Sequence, residues 1–260
     1  MNAPLFEVCL RIGDDALIAA QRLAEWSAAA PDLEEDIALS NIALDQLGVA
    51  QLLLTYAGEV EGAGRDEDAL AFGREDRDFR NCLLVELPNA GPAAGPHAPI
   101  DFAVTMARLL FLSTYQLLVY QSLLDSSDER LRGIAAKARK ESAYHADHAT
   151  QWTIRLGDGT DESHRRMQAA VEDVWPYTHE LFQADALTER LSTAGVAVDP
   201  GSLKAEWLAT VEPVLAESTL DRPSDGWAPT GGRVGRHTEH LSYLLAEMQV
   251  LHRAHPGARW

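Results

Sequence analysis

From Phe102 to Leu124 the chain reads FAVTMARLLFLSTYQLLVYQSLL, an apolar run without one Asp, Glu, His or Lys, opened by Asp101 and closed by Asp125. Such a run is long enough to cross a bilayer as a helix. It carries Arg108, Gln116, Gln121 and several hydroxyls, which are costly in lipid, so a helix buried among other helices accounts for it better than a membrane span. The rest of the sequence supplies those helices. Apolar residues recur at i, i+3, i+4 and i+7 along most of its length, and no alternating β-branched run is bounded by hairpin turns. The fold class that follows is all-α.

The first helix is expected from about Phe6 to Ala30, closed by Pro31. Asp32 with Glu35 three residues on has the form of a capping box, and Asp32, Glu34, Glu35 and Asp36 sit where a helix dipole favours negative charge. That second helix should run to about Glu59, with Gly62 and Gly64 stopping it. Arg65 to Leu87, highly charged, is expected as short helical turns on the surface, and Asn89 to Pro99 as a loop crossing from one end of a bundle to the other. Helices at about Ile100 to Leu124 and Asp128 to Leu156 share a short turn and must lie antiparallel. Pro176 should kink or divide a fifth helix at Asp161 to Ala194. Ser202 to Thr219 reads as a helix interrupted by Pro213, Asp221 to Gly235 as a loop, and His237 to about Ala254 as the last helix. No stretch has the composition of a linker, so residues 1–260 are expected to form a single domain.

Charge narrows the function classes. Lys and Arg number 22 against 40 Asp and Glu, a net charge of −18, which argues against unaided binding to nucleic acid or to an anionic membrane. Cys9 and Cys82 match no metal spacing and read as buried thiols of a reducing compartment rather than a disulfide. The N-terminal MNAPLFEVCLRIGDD has neither a basic n-region nor an unbroken apolar stretch, and a cytoplasmic protein is expected.

Two antiparallel helix pairs are the setting in which ferritin-like proteins build di-iron sites. Such a site draws one Glu from each of two helices and a Glu-x-x-His pair from each of the other two. Here KESAYHADH offers Glu141, His145, Asp147 and His148, yet Glu141 and His145 are four apart, and Ser142 stands three before His145. In LDQLG, Asp45 is followed three residues later by Gly48, so that pair lacks its imidazole. The Ile100 to Leu124 helix has no carboxylate to give. Glu25 could point inward from the first helix, or pair with Arg22 or Arg11. The alternative to a metal site is a buried polar cluster of Glu25, Asp45, Glu141 and His145 compensated by Lys140, Arg22 or Arg108.

Three histidine pairs have i, i+3 spacing, His145 with His148, His237 with His240 and His252 with His255, but none brings a clear third ligand for zinc. Asp173 and Glu180 read as a solvated acidic face. Gly231-Gly232-Arg233-Val234-Gly235-Arg236 has the look of a phosphate cradle, but no strand precedes it, so a loop before a helix start is the better reading. No nucleophile elbow is present. Catalytic, cofactor-binding and metal residues are accordingly assigned to none of the positions in this chain.

Four segments carry a resemblance to a known family: RIGDDALIAAQRLAEWSAAAPDLEEDIALSNIALDQLG, DEDALAFGREDRDFRNCLLVELPN, KESAYHADHATQW with LGDGT, and GRHTEHLSYLLAEMQVLHRAHPGARW. In that order, over nearly the whole chain, they resemble the C subunits of phenylacetyl-CoA epoxidase, also called phenylacetate-CoA oxygenase. The resemblance implies a ferritin-like helical bundle with additional C-terminal helices, serving as a structural subunit of a multicomponent monooxygenase that epoxidises the ring of phenylacetyl-CoA in aerobic phenylacetate catabolism. It further implies a catalytic A subunit holding the di-iron centre, a reductase carrying NADPH, flavin and iron-sulfur, and small accessory subunits; whether this chain forms a homodimer when alone is left open by the sequence. The Asn89 to Pro99 insert is longer than that family leads one to expect. The missing imidazole at Gly48, the missing carboxylate at Ser142 and the acid-free helix fit a non-catalytic paralogue. The rival readings are a di-iron oxygenase active in its own right and a stand-alone ligand- or metal-storage bundle. The surface expected to meet a partner is the first helix pair, Phe6 to Glu59, with Trp26, Leu39, Leu47 and Tyr56 among its apolar positions.

Overall fold

A computed structural model describes residues 2–95 and 98–258. Pro96 and His97 of the expected loop lie outside the described residues, as do Met1 and the final Arg259 and Trp260. Among the described residues the regular structure is helical throughout, with nine α-helices joined by short 3-10 turns. The chain divides into two compact units, Met1–Glu86 with Thr230–Trp260, and Leu87–Pro229.

The first unit is built on α1 (Ala3–Ala24) packed along α2 (Leu33–Glu61). The turn between them is short, so the two run antiparallel. α1 stops before Ala30, the expected end. Trp26 and Ser27 donate backwards to Leu23 and Ala24 in tight i→i−3 turns, and Ala28 takes a left-handed φ of 62°. The Ala28 amide then donates to the Asp36 carboxylate at 3.2 Å, tying the turn to the start of α2. Asp32 caps α2 by accepting from the Glu35 amide at 2.9 Å, and Gly62, with φ 69°, ends it.

Arg65 to Leu87 does form short helical pieces, α3 (Glu67–Phe72) and 3-10 turns at Asp76–Asp78 and Leu83–Glu86. The expectation that they lie on the surface is corrected: Leu70, Phe79 and every residue from Cys82 to Leu87 are buried. The unit is completed by a 3-10 turn at Gly232–Val234 and by α9 (Glu239–Ala254), which packs on α3 and on the turn at Asp76–Asp78.

The second unit is organised around α4 (Phe102–Leu123), flanked by α5 (Glu129–Gly157), α6 (Asp161–Thr178) and α8 (Lys204–Glu217). By length and composition α2 and α4 could each cross a membrane, but 83% of the apolar stretch of α4 is buried within the fold, the solution its polar residues favoured. Trp175 on α6, Trp207 on α8 and Phe182 converge on Phe111 and Tyr115 of α4, and the Trp207 indole donates to the Phe111 carbonyl at 3.0 Å. Arg108, buried in α4, donates to the Leu87 carbonyl and to Asn89 Oδ1.

The two prolines act differently. After Pro176 the helix α6 lasts only to Thr178 and gives way to a 3-10 turn at His179–Phe182, before α7 (Ala186–Thr193) starts afresh behind the Asp185 cap. Pro213, expected to interrupt its helix, sits inside α8 without breaking it. It removes one donor, and the buried row Trp207, Val211, Leu215 on one face of α8 outweighs that loss.

Candidate functional site

The positions that could have held metal are distributed as follows. His145 and Ser142 on α5 are buried, while Glu141 is half-buried with its carboxylate 3.3 Å from Lys137, one turn earlier, rather than on the expected Lys140. Asp45 on α2 is half-buried. Glu25, a candidate for an inward position, is exposed just beyond the end of α1 and pairs with Arg22 at 2.6 Å. His148 and the exposed Tyr144 lie ring against ring, centroids 6.3 Å apart. The chemistry of this donor set does not suit a di-iron centre, because Ser142 offers a hydroxyl where a carboxylate is needed, Gly48 offers nothing, and α4 offers no carboxylate or imidazole. Among the described residues no three His, Cys, Asp or Glu side chains gather as a metal-holding group.

The polar chemistry of the first unit lies elsewhere, in residues that spacing alone does not single out. Adjacent buried acids on α1 take two different arginines. Asp14 accepts from the Arg74 guanidinium, including a 2.9 Å contact from Nη1, and from the Arg80 amide at 2.8 Å. Asp15 is held bidentately by Arg233, at 3.0 and 2.7 Å, and accepts from the Cys82 amide at 2.7 Å. Burial pushes the Asp15 carboxyl above its ordinary value despite the opposing pull of Arg233 and the Cys82 amide.

This pairing also explains the glycine-rich segment. A side chain on Gly232 would stand 2.2 Å from the Asn81 carbonyl, so only glycine lets the segment lie against the 77–83 backbone and deliver Arg233 to Asp15. The segment is a turn before a helix start, as the loop reading had it, and its arginine is engaged inward.

A second knot ties α9 to the same unit. Glu86 is fully buried and accepts four hydrogen bonds: from Asn81 Nδ2 at 2.9 Å, from His237 Nδ1, and from the amide and hydroxyl of Thr238 at 2.8 and 2.7 Å. The other ring nitrogen of His237 lies 3.1 Å from the Phe79 carbonyl. The Phe79 carbonyl can only accept, and with the Glu86 carboxyl on the other nitrogen the geometry favours the imidazolium, the form that donates from both sides. Burial works against that charge, but the Glu86 carboxylate and the Phe79 carbonyl outweigh it and raise the His237 pKa above its ordinary value. His237 is thus occupied within the fold, and His252 stacks on Phe72 at 5.3 Å.

What remains open on the first unit is a face. Leu33, Ile37, Leu44 and Leu47 of α2 are each 45% to 69% exposed and fall at i, i+4, i+11 and i+14, one stripe of the helix. The stripe corrects part of the expectation for this surface: Trp26 and Leu39 are buried and Tyr56 is half-buried, while Leu47 does face outward. Large aliphatic side chains left to water along one helix face, in two pairs separated by Ser40 and Asn41, are the kind of feature that marks an interaction surface.

The chain is 47% identical over 251 residues to the C subunit of 1,2-phenylacetyl-CoA epoxidase of Escherichia coli (strain K12), covering 96% of this chain and 97% of that protein. The family model described as phenylacetic acid catabolic protein matches residues 1–260. On its whole length, therefore, the chain belongs to the phenylacetic acid catabolic protein family, whose fold is the ferritin-like helical bundle.

Proposed function

We propose that this chain is a non-catalytic structural subunit of a cytoplasmic phenylacetyl-CoA epoxidase, pairing with a catalytic subunit that holds the di-iron centre and receives electrons from a flavin and iron-sulfur reductase oxidising NADPH. The observation that carries the reading is the buried helix α4, which has no carboxylate or imidazole between Asp101 and Asp125. A ferritin-like di-iron site cannot be completed without that helix. Ser142 and Gly48 remove further ligands. In this reading no step of oxygen activation runs on this chain, and its contribution is to order its partner.

Support for a partner comes from the α2 stripe. Lasting complexes bury above roughly 2,000 Å² in total, with an apolar centre, and Leu33, Ile37, Leu44 and Leu47 provide such a centre flanked by Glu34 and Asp36. The test is co-expression with the catalytic subunit, pull-down, and NADPH consumption with phenylacetyl-CoA by the reconstituted system. Co-purification and dependence of turnover on this chain are expected. Full turnover by the catalytic and reductase subunits with this chain omitted would end the proposal.

A further inference from the structure

The helix α2 is apolar on two sides, and the fold uses one of them. Leu39, Ile42, Val49 and Leu53 are buried in the pair it forms with α1. On the other side Leu33, Ile37, Ser40, Leu44, Leu47 and Gln51 follow one another at alternate steps of four and three, the a/d rhythm of a coiled-coil seam. Ser40 is half-buried and the other five are exposed. From Leu33 to Leu47 the seam runs about 21 Å at the rise of an α-helix, with two aliphatic side chains at each end and the polar Ser40 layer between them.

The charges beside the seam have one sign. α2 carries six Asp and Glu residues and no Lys, Arg or His. Three acids crowd the Leu33 end: Asp32, Glu34 and Asp36. Asp32 and Asp36 accept from the backbone amides of Glu35 and Ala28, bonds to neutral groups that leave the negative charge standing, and Glu34 is exposed. Charges flanking a coiled-coil seam set which helix it accepts and in which direction. A second copy of α2 would bring acids and no cation to answer them, in either direction, and the same acids turn away an anionic bilayer.

We propose that this face of α2 docks a single helix of a partner protein, laid antiparallel along the seam, apolar at its own a and d positions and carrying Lys or Arg in its last turns, opposite Glu34 and Asp36. The proposal rests on the reading that the chain is a subunit of a complex, and it names the element that the partner presents. Direction follows from the dipoles. A helix antiparallel to α2 ends beside Asp32, Glu34 and Asp36, and cations are favoured in the last turn of a helix by its own dipole; a parallel helix would have to hold them in its first turn, where they are disfavoured. The Ser40 layer fixes register, because one polar layer in an apolar seam is matched at a single alignment.

The probes are synthetic helices of about three heptads, leucine at a and d with one central serine layer, in three versions: lysines flanking the C-terminal heptad, the same lysines flanking the N-terminal heptad, and glutamates in place of the C-terminal lysines. Each is titrated into the full-length chain by fluorescence anisotropy. The version with C-terminal lysines should bind saturably and about tenfold or more tighter than either of the others; the two lysine versions have equal charge, so general attraction to an acidic chain cancels between them. Leu44→Asp and Glu34→Lys should each weaken that binding about tenfold, with the chain still folded by circular dichroism because both positions are exposed. No saturable binding, equal binding of the two lysine versions, or binding unmoved by Leu44→Asp overturns the proposal. Self-association of the chain in sedimentation that Leu44→Asp abolishes assigns the seam to a second copy and overturns it as well. Failure of the peptides with co-purification of the catalytic subunit intact removes this inference and leaves the subunit reading standing, whereas binding of the C-terminal lysine version without co-purification supports the seam and ends the subunit reading.

Discussion

Glu86→Ala is the most informative single perturbation of the first unit. It removes the common acceptor of Asn81, His237 and both donors of Thr238, in a place with no solvent access. Each orphaned buried partner costs about 1–3 kcal/mol, and a buried cation stripped of its counter-ion costs about 3–5 kcal/mol. These costs overlap, because the neutral form of His237 relieves part of the second, so the expected loss is about 3–5 kcal/mol in all. That is a large share of the roughly 5–15 kcal/mol that holds a domain folded, and corresponds to a fall in Tm of about 6–20 °C. Glu86→Gln keeps the volume and one acceptor and should lose about 1–3 kcal/mol. Thermal melts by circular dichroism give the magnitude. Hydrogen exchange in 79–88 and 232–250 locates it, since loss of the knot should free those segments first. A double-mutant cycle with His237→Gln should show coupling well beyond the ~0.5 kcal/mol of independent sites. Additive effects, or a Glu86→Ala melt within about 1 kcal/mol of the parent, would refute the assignment of His237 as a charged partner of Glu86.

The same pair gives a pH dependence. Because the His237 pKa is raised in the folded chain, its contribution is complete below the ordinary imidazole value of 6.5 and is lost as pH climbs from there through the raised value; urea midpoints should fall over that window, and His237→Gln should flatten the fall. Arg233→Ala leaves Asp15 buried without its bidentate partner and should cost about 3–5 kcal/mol, measurable in the same melts, with part of the loss recovered in Asp15→Asn/Arg233→Ala. Leu44→Asp, placed on the exposed α2 stripe, should leave the melt unchanged and abolish co-purification with the catalytic subunit; retained co-purification would move the interface off α2.

The helices are legible where one face of a segment has to be buried. α2, α4, α5 and α9 follow from apolar spacing and from caps such as Asp32 and Asp128. The charged stretch at Arg65 to Leu87 reads as surface, and wrongly, for a definite reason. Its arginines pair with acids 60 and 73 residues earlier, Arg74 with the buried Asp14 and Arg80 with the half-buried Glu7, and no local pattern announces a partner at that distance. A signal exists on the other side of the pair, since two adjacent acids in the apolar run from Leu10 to Leu23 cannot both avoid the core. Likewise the glycines of GGRVGR report a close approach to the Asn81 and Arg77 carbonyls rather than a ligand. What is missing at the di-iron positions can be read directly, because an absent carboxylate at Ser142, an absent imidazole at Gly48 and an acid-free α4 are properties of the sequence itself. Which residues of α2 face outward cannot, because that helix is apolar nearly all round and only packing against α1 separates Leu39 from Leu44.

The central claim, that this chain orders a catalytic partner and holds no di-iron centre, is met most directly by elemental analysis of the chain purified aerobically by itself. The account predicts no stoichiometric iron and no oxo-bridge absorption band, with iron recovered only when the catalytic subunit is present. Two irons per chain in the isolated protein, the complement of a full di-iron site, together with that band, would contradict it.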